Sequence, residues 1–172
     1  DLKARVVADG TGLKLDDIAG TLENAGQPQL LTGSGELAWV KGLRASASIA
    51  SRWLDLDRIV GTGAETTPLQ SGMALADALI HMLPGEAASA LKLTVDQVNL
   101  GGDAVAGLKL AVSRADGPLT LENLEAGLPG GARLDLSGTI AGTGERRFSG
   151  QVGLHGPSFG RFLAWAAKDM RL

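Results

Sequence analysis

Two histidines are the first residues to weigh, because an imidazole ionises near neutral pH and is the commonest metal ligand. His81 lies inside an apolar stretch of helical spacing and His155 follows an alternating segment. Neither has a second histidine at metal-ligand spacing, so both read as core or loop residues. Carboxylates cluster at Asp16-Asp17, Asp55/Asp57 and Glu122/Glu125. A general acid–base pair needs one carboxyl of raised pKa in a pocket; these three pairs fall beside turns or on polar parity and read as solvated. Four Gly-Thr/Ser-Gly triplets, beginning at Gly10, Gly33, Gly61 and Gly142, lack the strand–GxGxxG–helix context and the lysine of a phosphate-binding loop. They read as turns or bends, with Gly33-Ser34-Gly35 as a bulge or bend within its strand. The absence of cysteine removes thiolate chemistry and disulfides. No residue set reads as an active site, a metal site or a cofactor site, and the expectation is a protein that is not an enzyme.

The elements that would position these residues are mostly strands. Alternation marks Leu2–Ala8, Leu13 to about Leu22, Leu30–Val40 and Leu43–Ser51, separated by the turns Asp9–Gly12 and Lys41-Gly42 and by a loop at Glu23–Gln29. Leu54–Ile59 breaks the two-residue period and reads as a helical turn leaving the sheet. Gly61–Gly63 and Thr66 belong to a linker. Thr67, Pro68 and Gln70 then make a capping box with proline at the first helical position. Apolar residues at 69, 73, 76, 80 and 83 follow helical spacing, widened by Leu75, Leu79 and Met82, so this helix is expected to be buried over more than half its girth. Gly72 within it reads as a site of close approach to the sheet. Glu86–Ala90 reads as one further helical turn. Five more strands follow at Leu91–Leu100, Ala104–Arg114, Leu119–Leu128, Ala132–Ala141 and Arg147–Leu154, then a helix from Phe159 to about Lys168 capped by Ser158.

Parity within the later strands separates two faces. Leu93, Val95, Leu108, Leu110, Val112, Leu119, Leu121, Leu134, Leu136, Val152 and Leu154 share one parity; Lys92, Lys109, Glu122, Arg133, Asp135 and Gln151 share the other. One apolar and one wet face is the pattern of an antiparallel meander. Two short helices are scant cover for about nine strands, which leaves part of the apolar face for a ligand or a partner. The eleven apolar residues just named are therefore the candidate lipid-binding set. Trp39, Trp53 and Trp165 read as core rather than as anchors at a lipid interface.

The chain repeats itself. Leu2, Lys3, Val6, Leu13, Leu15, Ile18 and Leu22 lie 106 residues before Leu108, Lys109, Val112, Leu119, Leu121, Leu124 and Leu128. After a slip of three residues, an offset of 103 pairs Ser34-Gly35 with Ser137-Gly138, Ile49 with Val152 and Arg58 with Arg161. The fold class is accordingly mainly β with a few short helices: antiparallel meander sheets with one apolar face, built from two repeated strand units joined by a helical segment. The units are residues 1–60, a first repeat truncated at its N-terminus; 61–90, linker and helix; and 91–172, a second repeat with its helix. The chain opens inside an alternating segment, as an excision from something longer would. Leu2–Ala8 should then keep one unpaired edge.

Composition agrees. There are 25 glycines, few aromatics and a net charge of −3, which argues against nucleic acid as a partner. No apolar run approaches the roughly 20 residues that span a bilayer.

The segments LTVDQVNL at Leu93–Leu100, Gly107–Val112, Leu119–Leu128, the Gly130-Gly131 turn and Ser137–Ile140 together resemble the AsmA family of bacterial envelope proteins, in the repeated unit of its C-terminal region. The resemblance is fullest over residues 91–165 and weaker over 2–60. It implies a parent anchored in the inner membrane by one N-terminal helix, with its bulk, including a soluble segment like this one, in the periplasm. It also implies kinship with repeating β-groove lipid-transfer proteins, whose trough carries acyl chains between membranes, and a part in outer-membrane assembly and phospholipid transport. Phospholipid or another envelope lipid and the neighbouring repeats of the parent are the partners it implies. The alternative is a structural or protein-interaction module of envelope assembly that binds no lipid.

Overall fold

A computed structural model describes residues 1–24, 27–59, 67–83, 87–115, 117–142, 147–157 and 159–166. Nine strands form one sheet in sequence order: β1 (Leu2–Ala8), β2 (Gly12–Asn24), β3 (Gln27–Ala38), β4 (Arg44–Asp55), β5 (Ala88–Leu100), β6 (Asp103–Arg114), β7 (Leu119–Leu128), β8 (Ala132–Ala141) and β9 (Arg147–His155). Every neighbouring pair is antiparallel except β4 and β5, which run parallel. A parallel pair needs a crossover. Here it carries α1 (Leu56–Ile59) and α2 (Pro68–Met82); α3 (Phe159–Ala166) follows β9. Mainly β with short helices is thus the fold, and the single parallel junction is the feature that alternation alone did not announce.

The repeat is present in the ladder itself. Val6 faces Leu15 in the first copy as Val112 faces Leu121 in the second. Leu15 faces Gly35 and Ile18 faces Gly33, as Leu121 faces Gly138 and Leu124 faces Leu136. Gly35 faces Ala47 and Gly33 faces Ile49, as Gly138 faces Gly150 and Leu136 faces Val152. The irregularity falls at the same place too: the register shifts between Leu15 and Ile18 and between Leu121 and Leu124. The bulge therefore belongs to Asp16-Asp17, with Asp17 at φ 52, and not to Gly33-Ser34-Gly35. Those glycines lie in regular strand, where a Cβ on Gly33 would stand 2.2 Å from the Ser48 carbonyl and 3.0 Å from Ile49 Cδ1.

Several boundaries differ from the periodicity reading. Glu23–Gln29 is no loop: β2 runs to Asn24 and β3 starts at Gln27, with Leu22 facing Gln29 and Glu23 facing Pro28. Proline is tolerated there because it sits at the start of its strand. Ala88–Ala90 is strand, because it pairs with Arg44–Ser46 on one side and, through Ser89 and Ala90, with Arg114 and Ser113 on the other. Those ladder bonds override its alanine-rich helix propensity. Ser158 and Gly61–Thr66 lie outside the described residues.

The capping box of α2 forms as expected: Gln70 N donates to Thr67 Oγ1 at 3.2 Å and Thr67 N to Gln70 Oε1 at 3.0 Å. At the other end the Arg114 guanidinium donates from Nη1 to the carbonyls of Ile80 and Leu83, each at 3.0 Å. A cation there satisfies terminal carbonyls and interacts favourably with the negative end of the helix dipole. The buried line of α2 is Pro68, Ser71 and Leu79, continued by the C-cap residue Leu83, with Leu75 and Ile80 beside it. Met73 and Met82 face outward and are exposed, so the stripe is narrower than expected. Gly72 is exposed and nothing lies within 4 Å of a Cβ built there, so it makes no close approach.

Candidate functional site

Residues facing each other across a ladder share a face, so the pairings trace rows across the sheet. One row runs Val6, Leu15, Gly35, Ala47, Leu91, Val112, Leu121, Gly138, Gly150 through all nine strands. A second runs Ile18, Gly33, Ile49, Leu93, Leu110, Leu124, Leu136, Val152 from β2 to β9. Both are apolar from end to end, and together they make one continuous apolar face shared by the two copies.

The helices cover only part of it. One cluster packs Leu79 of α2 and its C-cap residue Leu83 on Leu110, Val112, Leu119 and Leu121, with Leu93 and Leu136 partly buried against it. The other joins Val95, Leu108, Leu128 and Ala132 to Trp165 of α3, with Leu134 and Leu154 at its margin. The eleven residues singled out by parity are thus brought onto one face, ten of them beneath or beside helices and only Val152, on β9, open to solvent at 64%. A ligand reaching Val95 or Leu110 in this arrangement would have to displace a helix. The open counterpart lies in the first copy, which parity in the second copy did not point to: Leu2 and Val6 are exposed, and Leu13, Leu15, Ile18, Leu37 and Ile49 are half-buried. Among the described residues of β1–β3, Leu31 alone joins either cluster.

The polar face carries charge pairs. Lys109 Nζ stands 3.3 Å from Glu125 Oε2, and Asn123 Nδ2 donates to Glu125 Oε1 at 3.2 Å. The Asn123 bond first, and then Lys109, hold the Glu125 carboxyl below the usual range. Across β2–β5 this face holds a shallow depression of about 360 Å³ walled by Lys14, Asp16, Glu36, Ser46, Ser48 and Lys92. Among the described residues no three His, Asp or Glu side chains could hold a metal.

His81 and His155 are exposed, so His81 is not a core residue. His81 Nδ1 lies 2.7 Å from the Asp77 carbonyl on its own helix, and His155 Nδ1 lies 3.7 Å from Asp135. Trp165 is core, but Trp39 is 43% exposed and donates from Nε1 to the Gly10 carbonyl at 3.1 Å, over the β1–β2 turn.

Asp55 and Asp57 are not solvated. Both are buried at the crossover. Asp57 Oδ1 accepts from Ser71 Oγ at 2.7 Å and from Gly101 N at 2.9 Å, while Oδ2 accepts from Gly102 N at 2.9 Å. Asp55 Oδ1 accepts from Asn99 Nδ2, and its own amide donates to the buried Gln29 Oε1. A carboxylate fed by backbone N–H groups and a hydroxyl is a structural clasp. It ties α1 and α2 to the β5–β6 turn. Sequence spacing could not reveal it, because its partners come from 14 and 44 residues away.

Comparison with family models, with curated proteins and with solved structures gives no match. Among the described residues no helix is long and apolar enough to cross a membrane.

Proposed function

We propose that this chain is a non-enzymatic segment of an AsmA-like envelope protein, placed in the periplasm, that takes part in outer-membrane assembly and phospholipid transport by holding acyl chains on its apolar sheet face. One observation carries the reading. The apolar rows continue unbroken from the helix-covered second copy into the first, where Leu2, Val6, Leu13, Leu15 and Ile49 join neither helix-packed cluster among the described residues. Acyl chains laid along these rows would be stabilised by apolar burial at about 25 cal/mol per Å², with head groups left in water at the rim.

The test is capture of an acyl-chain-labelled phosphatidylethanolamine from vesicles by the purified protein, followed by native mass spectrometry. Leu15→Glu and Ile49→Glu, each checked for an unchanged circular dichroism spectrum, are expected to abolish capture, and Glu122→Gln on the wet face to leave it unchanged. Absence of capture by the unaltered protein would sink the lipid reading and leave the protein-interaction module.

A further inference from the structure

The two copies place identical residues in unlike surroundings. Leu108 and Val112 of β6 are 6% and 2% exposed, whereas their counterparts Leu2 and Val6 of β1 are 77% and 56% exposed. All seven residues of β1 are exposed. A difference visible in the ladder is β5: it pairs with β6 by setting Val95 opposite Leu108, Leu93 opposite Leu110 and Leu91 opposite Val112. Among the described residues, strand β1 pairs with β2 only and ends the sheet. We infer that the free edge of β1 is a docking site for an extended polypeptide strand of β5 chemistry, added antiparallel with apolar residues opposite Leu2, Ala4 and Val6.

The molecule supplies the template. An edge strand offers alternate N–H and C=O groups to a newcomer, and natural edges are usually blunted by charge, proline or a bulge. Lys3 is no such block, because its counterpart Lys109 sits inside the sheet between Thr94 and Glu125. The bulge at Asp16-Asp17 lies on β2, away from the free edge, and the second copy has its own shift at that place, beside a fully paired β6.

One position sets the partner apart from β5 itself. Where β6 has Ala111 facing Lys92, β1 has Arg5, whose guanidinium stands 3.3 Å from Asp17 on the polar face. A cross-strand lysine there would repel Arg5 and an acidic residue would attract it. The preferred partner therefore alternates apolar with polar residues and carries an acid opposite Arg5. This inference does not depend on lipid binding.

The test uses the whole protein with synthetic peptides copying Ala88–Leu100. Amide exchange of Leu2–Ala8, at the positions pointing away from β2, is expected to slow by about tenfold when peptide stands near ten times its Kd. A peptide carrying Lys92→Glu should bind more tightly than the parent sequence, and a peptide of the same composition with inverted alternation should leave exchange unchanged. A spin label at the peptide's Val95→Cys should broaden Leu2, and one at Leu91→Cys should broaden Val6. Unslowed exchange, broadening in the reverse order, or equal protection from the inverted peptide would overturn the proposal. So would protection that grows with protein concentration in the absence of peptide, because the occupant would then be a second copy.

Discussion

At the scale of single residues, burial separates chemically similar side chains with unlike work. Leu110 and Val152 stand in the same transverse row, yet Leu110 is 4% exposed under α2 and Val152 is 64% exposed on β9. Leu110→Ala is expected to cost about 3 kcal/mol, a transfer loss plus a cavity, and Val152→Ala no more than ~0.5 kcal/mol; urea titration of both variants checks the pair. A cost below ~1 kcal/mol for Leu110 would mean that α2 does not hold that part of the face. Asp57→Ala should be comparably harmful, at about 3 kcal/mol, because it removes the buried carboxylate that accepts from Ser71 Oγ and from the Gly101 and Gly102 amides. Asp57→Asn keeps an accepting oxygen and should lose less. Gly101 is fixed by the same clasp: it sits at φ 62, and a Cβ would stand 2.6 Å from Pro68 Cγ. None of this was readable from the Asp55/Asp57 pair as sequence, where two acids near a glycine linker resemble any solvated cluster. Burial of a carboxylate is decided by who donates to it.

At the scale of elements, what was legible follows from how local its cause is. The capping box was legible because all its atoms lie within four residues. The strands were legible because a half-covered sheet keeps period two. The outward Met73 and Met82 were not, since the line along which α2 meets the sheet is set by Leu110, Val112, Leu119 and Leu121, distant in sequence. The β1–β2 turn shows a local cause that also titrates. Asp9 Oδ1 accepts from Thr11 N at 2.7 Å, Thr11 Oγ1 at 2.6 Å and Gly12 N at 3.1 Å. These bonds, the Thr11 hydroxyl first, lower its pKa from the ordinary 3.8. A carboxyl depressed in the folded state stabilises fully above that ordinary value, and the contribution is lost as pH falls through the lower folded value. The Thr11 and Gly12 amide resonances are therefore expected to hold steady from neutral pH down to about the ordinary carboxylate value and to move below it. Asp9→Asn should remove that acid inflection.

At the scale of the whole molecule, stability is expected to be lopsided. Among the described residues the buried apolar side chains begin at Leu54, and the largest fully buried ones include Val95, Val98, Val105 and Leu119. Regions with little buried apolar contact open at low free energy. Native-state amide exchange should accordingly be slowest in β5–β7 and fastest in β1 and the first half of β2. Uniform protection across the nine strands would refute a gradient. The repeat was legible as two offsets, and the ladder keeps both of them. The parallel junction was not, because alternation is blind to strand direction and only a crossover's length hints at it.

That junction also bears on how the sheet comes together in time. Seven of the eight pairings join strands linked by short connections, which close quickly and at little entropic cost. The pairing of β4 with β5 is different: Arg44 meets Ala88 and Asp55 meets Asn99, so one long loop must close before a single ladder bond rewards it. Closure of that non-local seam is therefore expected to be the slow event in folding, after the local hairpins have formed. Asp57 lies beside that seam and reaches Gly101 across 44 residues of chain. In the finished fold it braces that seam through Ser71, Gly101 and Gly102.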